Sequence, residues 1–152
     1  MSVDTLRQAC ARALDNPSFQ PANGETFCNL AVTSVAEAMG CEEFSGLMAD
    51  QIYAKMEANA SGKWEKVVGP VASQDASEGN FVVAAMSSTQ LGETHGHVAT
   101  CYPQAAGFSG SLNKYVPVVA NIGKSVGVMK SSEAFPVDKG EPDYFSYQTQ
   151  EE

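Results

Sequence analysis

Gly24-Glu25-Thr26-Phe27-Cys28-Asn29-Leu30-Ala31-Val32, continuing through Thr33-Ser34-Val35-Ala36-Glu37-Ala38-Met39 to Gly40, is the stretch around which the chain is organised. Leu30 or Ala31, Val32, Val35, Ala36 and Met39 recur at helical spacing. This predicts a helix with Thr26 capping its start and Gly40 as the left-handed residue that ends it. Cys28 then falls in the first turn. Unpaired backbone N–H groups and the positive end of the helix dipole favour negative charge there, so a thiolate is expected to form more easily. The plainer reading of the same residue is a small buried hydrophobe, because free Cys is among the most buried residue types.

Upstream, Val3, Leu6, Cys10, Ala13 and Leu14 mark the apolar face of a first helix, with Ser2 as its cap and Pro17 just beyond its end. The Pro, Asn and Gly content between Asn16 and Glu25 reads as a loop that delivers the chain to Cys28. Downstream, Leu47 or Met48, Ile52 and Met56 share the face of a third helix that ends between Asn59 and Gly62, and Pro70 opens a short helix through about Ser77. Trp64 between them is read as filling the core edge.

From Asn80 the period changes. Phe81 to Met86 is a short continuous apolar run, the pattern of a strand buried on both faces, and Ser87 to Glu93 reads as a polar loop. His97 to Tyr102 is a second strand stopped by Pro103, with His97, Ala99 and Cys101 on one face and Val98, Thr100 and Tyr102 on the other. Residues 103 to 114 read as a long connection, and Tyr115 to Ile122 as a third strand with Pro117 near its start or at an edge. Gly123, Ser125 and Gly127 mark a turn, Ser131 to Phe135 a helical turn, and Asp143 to Gln148 a last strand before a frayed Glu151-Glu152 tail. Helices first and strands after predict an α+β fold, an N-terminal helical half packed on an antiparallel sheet, with residues 1–152 forming one domain.

Nine Lys and Arg against eighteen Asp and Glu give a net charge of −9 and no basic run. That opposes nucleic-acid binding and adhesion to anionic membranes, since both need clustered cations. Met1-Ser2-Val3-Asp4-Thr5-Leu6 lacks the basic region and apolar core of a secretory signal, so synthesis in the cytoplasm without a cleavable leader is expected. Cys10, Cys28, Cys41 and Cys101 contain no C-x-x-C, and His95 and His97 are too close together for a zinc-finger pair. Cys10, Cys41 and Cys101 read as reduced packing residues, and no metal or other cofactor is expected.

Three residues carry the chemistry. Cys28 opens a helix, His97 opens a strand, and the polar Asn121 stands inside an otherwise apolar strand. In a cysteine hydrolase a His takes the thiol proton while a third group holds the imidazole in the right tautomer. Read blandly, His97 is a solvated turn residue beside Gly96 and Asn121 merely closes a strand. His95 is the rival base, but its place before Gly96 puts it in the loop.

The Phe27-Cys28-Asn29-Leu30-Ala31-Val32 helix, followed by Phe81-Val82-Val83-Ala84-Ala85 and Gly96-His97-Val98-Ala99-Thr100, resembles the papain-like peptidoglycan hydrolases of the NlpC and CHAP type. It looks most like phage or prophage lysins and the small type VI secretion amidase effectors. The likeness runs from Asn23 to Ala134. It implies a papain-like fold, with Cys28 as nucleophile, His97 as general base and a polar residue on the following strand, here Asn121, as the orienting group. It also implies cleavage of an amide bond in the bacterial stem peptide or its cross-link. Many relatives carry Ser-Gly after the nucleophile, where this chain has Asn29-Leu30. The Cys28 backbone N–H would be one oxyanion donor and the Asn23 side chain a second.

Peptidoglycan is the expected partner, reached from a monomer made in the cytoplasm and then released or delivered to the wall or periplasm. An immunity protein or secretion machinery would be further partners. Two other classes compete: a cysteine protease, deamidase or transglutaminase acting on protein, and a non-catalytic binding protein on the same fold. The groove loops 42 to 47 and 87 to 95 hold whatever separates the enzymes.

Overall fold

The computed structural model describes residues 2–148. Glu151-Glu152 therefore lies outside the described residues. Eight strands form a six-stranded sheet and a separate hairpin. In chain order they are β1 (Trp64–Val67), β2 (Val82–Met86), β3 (His97–Cys101), β4 (Gly107–Ser109), β5 (Lys114–Val116), β6 (Val118–Ile122), β7 (Val126–Lys130) and β8 (Asp143–Tyr147). The large sheet runs β1-β8-β2-β3-β6-β7 with every neighbour antiparallel, and β4 pairs only with β5.

The α+β expectation holds. Helices α1 (Val3–Asp15), α2 (Cys28–Ala38) and α3 (Ala49–Ala58) bury Leu6, Val32, Val35, Ile52 and Met56 with Val83, Ala85 and Val98 of the sheet. The other face is not bare. There α4 (Gly69–Ser77), α5 (Ser88–Leu91) and α6 (Ser131–Ala134) pack Ala72, Ala76, Leu91 and Ala134 against Val82, Ala84, Met86, Ala99 and Cys101. All five β2 residues are buried, because period-two alternation sends their side chains into two different cores.

Ser2 caps α1 as expected, its hydroxyl accepting the Thr5 amide at 3.0 Å, and Gly40 follows α2 at φ +86°. Five local expectations are corrected. The residue before α2 is Phe27, with no side-chain cap bond, so Thr26 does not cap the helix. Ser87 to Glu93 is not all loop: Ser87 accepts the Gln90 amide at 3.1 Å and starts α5. The 103–114 connection contains β4, and the predicted 115–122 strand breaks at Pro117. Lacking an N–H to continue a ladder, Pro117 is where the chain leaves β4 and joins β3, so Val116 pairs with Gly107 while Val119 pairs with Cys101. Gly127, read as part of a turn with Gly123 and Ser125, instead pairs with Asn121 inside β7 at the sheet edge. Among the described residues no helix is long and apolar enough to cross a membrane.

Candidate active site

Cys28 is delivered by a tight turn. Ala22 and Glu25 exchange backbone bonds of 3.0 and 2.8 Å around Asn23 (φ +53°) and Gly24 (φ +78°), the positive-φ pair that a type I′ turn requires and that Asn-Gly supplies at little cost. The chain emerges from this turn into α2 with Cys28 as the first helical residue. Asn29 donates its side-chain amide to the Leu47 carbonyl at 3.1 Å and ties this first turn to the segment before α3.

The Cys28 sulfur is buried, with 6% of the residue exposed. The backbone amides of Val98, Asn29 and Cys28 itself each favour the thiolate, yet burial outweighs them and pushes the thiol up from its ordinary value. This corrects the expectation drawn from the helix start. The dipole and amides act in the predicted direction, but the resting sulfur is a protonated thiol.

His97 opens β3 opposite Met86. Its Nε2 lies 2.7 Å from Asn121 Oδ1, and Asn121 Nδ2 donates to the Ser125 carbonyl at 2.8 Å. The second bond settles the first. With its NH2 committed to a carbonyl, Asn121 can only accept from the ring, so Nε2 carries the proton and Nδ1 keeps a lone pair. Phe135 packs on the imidazole with ring centroids 4.9 Å apart, and a Cβ at Gly123 would come within 3.0 Å of His97 Cε1. Burial holds the imidazole below its ordinary value, against the Asn121 bond and the negative charge of Glu93, which favour protonation.

By strand parity His97 and Asn121 belong to the face covered by α4–α6, whereas Cys28 comes from α2 on the other. The link between them is the backbone at the strand end. The β3–β6 ladder stops after Thr100↔Ala120, and beyond it the Val98 amide turns to the Cys28 sulfur, one peptide unit from the His97 Cα. No hydrogen bond joins the thiol to the imidazole.

A cleft of about 1120 Å³ opens in front of this junction, walled by residues 21–26, 93–97, 123–125 and 132–138, with His97 and Asn121 on its wall. Cys28 does not line this cleft; it is buried with Ala31, Val35, Val98 and Ile122. Asn23 is exposed on the cleft wall, as is His95. Neither His95 nor Asn23 has a side-chain partner in this arrangement, whereas His97 does. The Ser125 carbonyl, Gly123 and Phe135 also shape the site, and sequence reading had missed them. A backbone acceptor leaves no residue-type signal, and Phe135 is brought in by the other face of the sheet.

Cys10, Cys28, Cys41 and Cys101 are all free and buried. Among the described residues no group of three or more His, Cys, Asp or Glu is placed to hold a metal. No protein-family model matches the chain, and no curated protein matches it significantly.

Proposed function

We propose that this chain is a cysteine peptidoglycan hydrolase with a papain-like fold of the NlpC/CHAP type, cutting an amide bond in the stem peptide or its cross-link. One observation carries the reading. The Asn121 carboxamide accepts from His97 Nε2 and leaves the Nδ1 lone pair free, and the amide that follows His97 in the chain faces the helix-start thiol. His97 stands on the wall of a cleft large enough for a branched peptide.

Both partners rest neutral, so the thiol proton moves to His97 Nδ1 as the sulfur attacks the scissile carbonyl. The resulting oxyanion is held by the Cys28 amide, with Asn23 across the cleft as the second donor. As the C–N bond breaks, His97 returns its proton to the leaving amine, and Cys28 remains as a thioester. Nδ1 then deprotonates water, which releases the carboxylate and restores the thiol. Because Cys28 is buried and does not line the cleft that His97 lines, a path to the thiol must open before attack. The chain would reach its substrate by release or delivery to the wall or periplasm.

Mass spectrometry of purified cell-wall digests with the unchanged chain and Cys28→Ala in parallel tests this. The expected result is a new amine and carboxylate pair per cut, a gain of one water, in the first digest and none in the second. Equal digests, or an intact wall with both, would overturn the reading. Cleavage or amide loss in a protein substrate with an intact wall would move the same chemistry to another substrate.

A further inference from the structure

Asp50 lies on α3, away from the cleft, yet its carboxylate is aimed at the connection that carries His97. Oδ1 accepts the Ser88 amide at 2.8 Å, and Oδ2 accepts the Ser88 hydroxyl in a short hydrogen bond. The far end of the same connection returns to the same group. A Cβ at Gly96 would stand 2.6 Å from Asp50 Oδ1 and 2.9 Å from the Met86 carbonyl, so the backbone entering His97 packs directly on the carboxylate. One turn along α3, the Tyr53 hydroxyl donates to Asp143 Oδ2 at 2.6 Å. Asp143 pairs with Ala85 at the same end of the sheet as His97. Two polar residues of α3 thus clamp the end of the sheet from which the imidazole emerges.

Ten residues separate β2 from β3, and Leu91 of α5 is their one large apolar anchor, which leaves the stretch from Gly92 to Gly96 without one. Without an anchor such a loop samples many positions, and a base must be held within about 0.5 Å of its working geometry. We propose that Asp50 is a positioning residue for His97. It ties the start of the β2–β3 connection, at Ser88, to α3 and packs against its end at Gly96, and so fixes where the imidazole stands relative to Asn121. Gly96 is required by this arrangement, since any side chain there would displace the carboxylate. Asn29 serves the same register from the other side by binding the Leu47 carbonyl just before α3. The catalytic meaning of this role rests on the hydrolase reading; the effect on His97 does not.

The test uses Asp50→Ala, Asp50→Asn and Ser88→Ala in the full chain, read by the ring nitrogen shifts of His97 with exposed His95 as the reference in the same molecule. In the unchanged chain His97 should hold the single Nε2–H tautomer. In Asp50→Ala the His97 signals should move and show mixed tautomers while those of His95 stay. Cleavage of wall fragments should then fall by roughly 10- to 100-fold in kcat, with KM within about twofold. Asp50→Asn, whose amide oxygen still accepts from Ser88, should recover part of the loss. Ser88→Ala removes one bond without touching the charge, and should show the same changes at smaller size even if Asp50→Ala does not fold. His97 signals unchanged in the folded variants would overturn the proposal, as would a kcat loss that only tracks the unfolded fraction. Should the unchanged chain leave wall fragments uncut, the hydrolase reading fails, and the ring signals still decide the role of Asp50.

Discussion

The two ends of β2 are built on opposite plans. At its start Phe81, Trp64, Tyr147 and Phe44 interlock, with Trp64 stacked on Phe44 at 5.4 Å and its centroid 4.9 Å from that of Tyr147. Its one buried polar handle, the indole N–H, is spent on Glu43 at 3.1 Å. At its end Met86 pairs with His97, and polar groups replace aromatic bulk: a thiol, an imidazole, a carboxamide and close backbone at Gly96 and Gly123. The first end closes every valence by packing. The second leaves one nitrogen lone pair open beside a cleft, and its neighbours are arranged so that nothing else takes it. Stability and chemistry are thereby separated by the length of one strand, and a substitution at one end should leave the other largely untouched.

The largest expected effect falls at the chemical end. His97→Ala should lower wall cleavage by about 10²- to 10⁴-fold, the usual worth of a general base, with little change in melting temperature. If folding collapses instead, the separation of the two ends is wrong. The converse is Trp64→Ala. Removing a core Trp costs about 3–5 kcal/mol, visible as a lower denaturant midpoint, while Cys28 in the folded fraction should alkylate with an unchanged pH profile. Asn121→Ala comes next. It frees Nε2, lets the imidazole take either tautomer and turn in its place, and should cost roughly tenfold in kcat: about twofold from the tautomer and the rest from lost orientation, still less than the loss of the base. An effect as large as that of His97→Ala would make Asn121 more than an orienting group.

Both ends were legible in part: Trp64 as a core residue, Phe81 in a buried run and Tyr147 in the last strand were read correctly, while the interlocking of their rings with Phe44 was not. Helical spacing after Cys28 and strand parity from His97 are local patterns, so the helix start and the strand start could be read from their own residues. Asn121 stood out because a carboxamide in an apolar strand needs a partner. What brings these three together is long-range: the ladder between β3 and β6 that stops short, and the Val98 amide that it frees. No local pattern encodes where a ladder ends. The same reason explains Pro117, whose effect as a breaker was visible but whose switch of strand partners was not. It also explains the thiol, for which helix-start chemistry was correctly read in direction and then outweighed by burial that only the assembled sheet imposes.

The smallest expected effect is on stability against pH, with the imidazole shaping the acid arm and the buried thiols the alkaline one. His97 is held below its ordinary value of 6.5 by burial. As pH falls through 6.5 the unfolded chain takes a proton that the folded chain refuses, so more protons are bound unfolded and stability drops toward acid. The thiols act in the other sense. Burial pushes Cys10 up to about 12 and Cys41 up to about 11, from an ordinary 9.0. Above pH 9 the unfolded chain loses protons that the folded chain keeps, and stability falls as pH rises until the folded thiols ionise. Melting temperature measured from pH 5.5 to 10.5 should therefore pass through a maximum between about 7 and 8.5. His97→Gln should flatten the acid arm alone. Cys41→Ala, at a thiol that bonds Tyr147 in the aromatic end, should weaken the alkaline arm alone. A variant that moved both arms would show that the two ends of β2 are coupled after all.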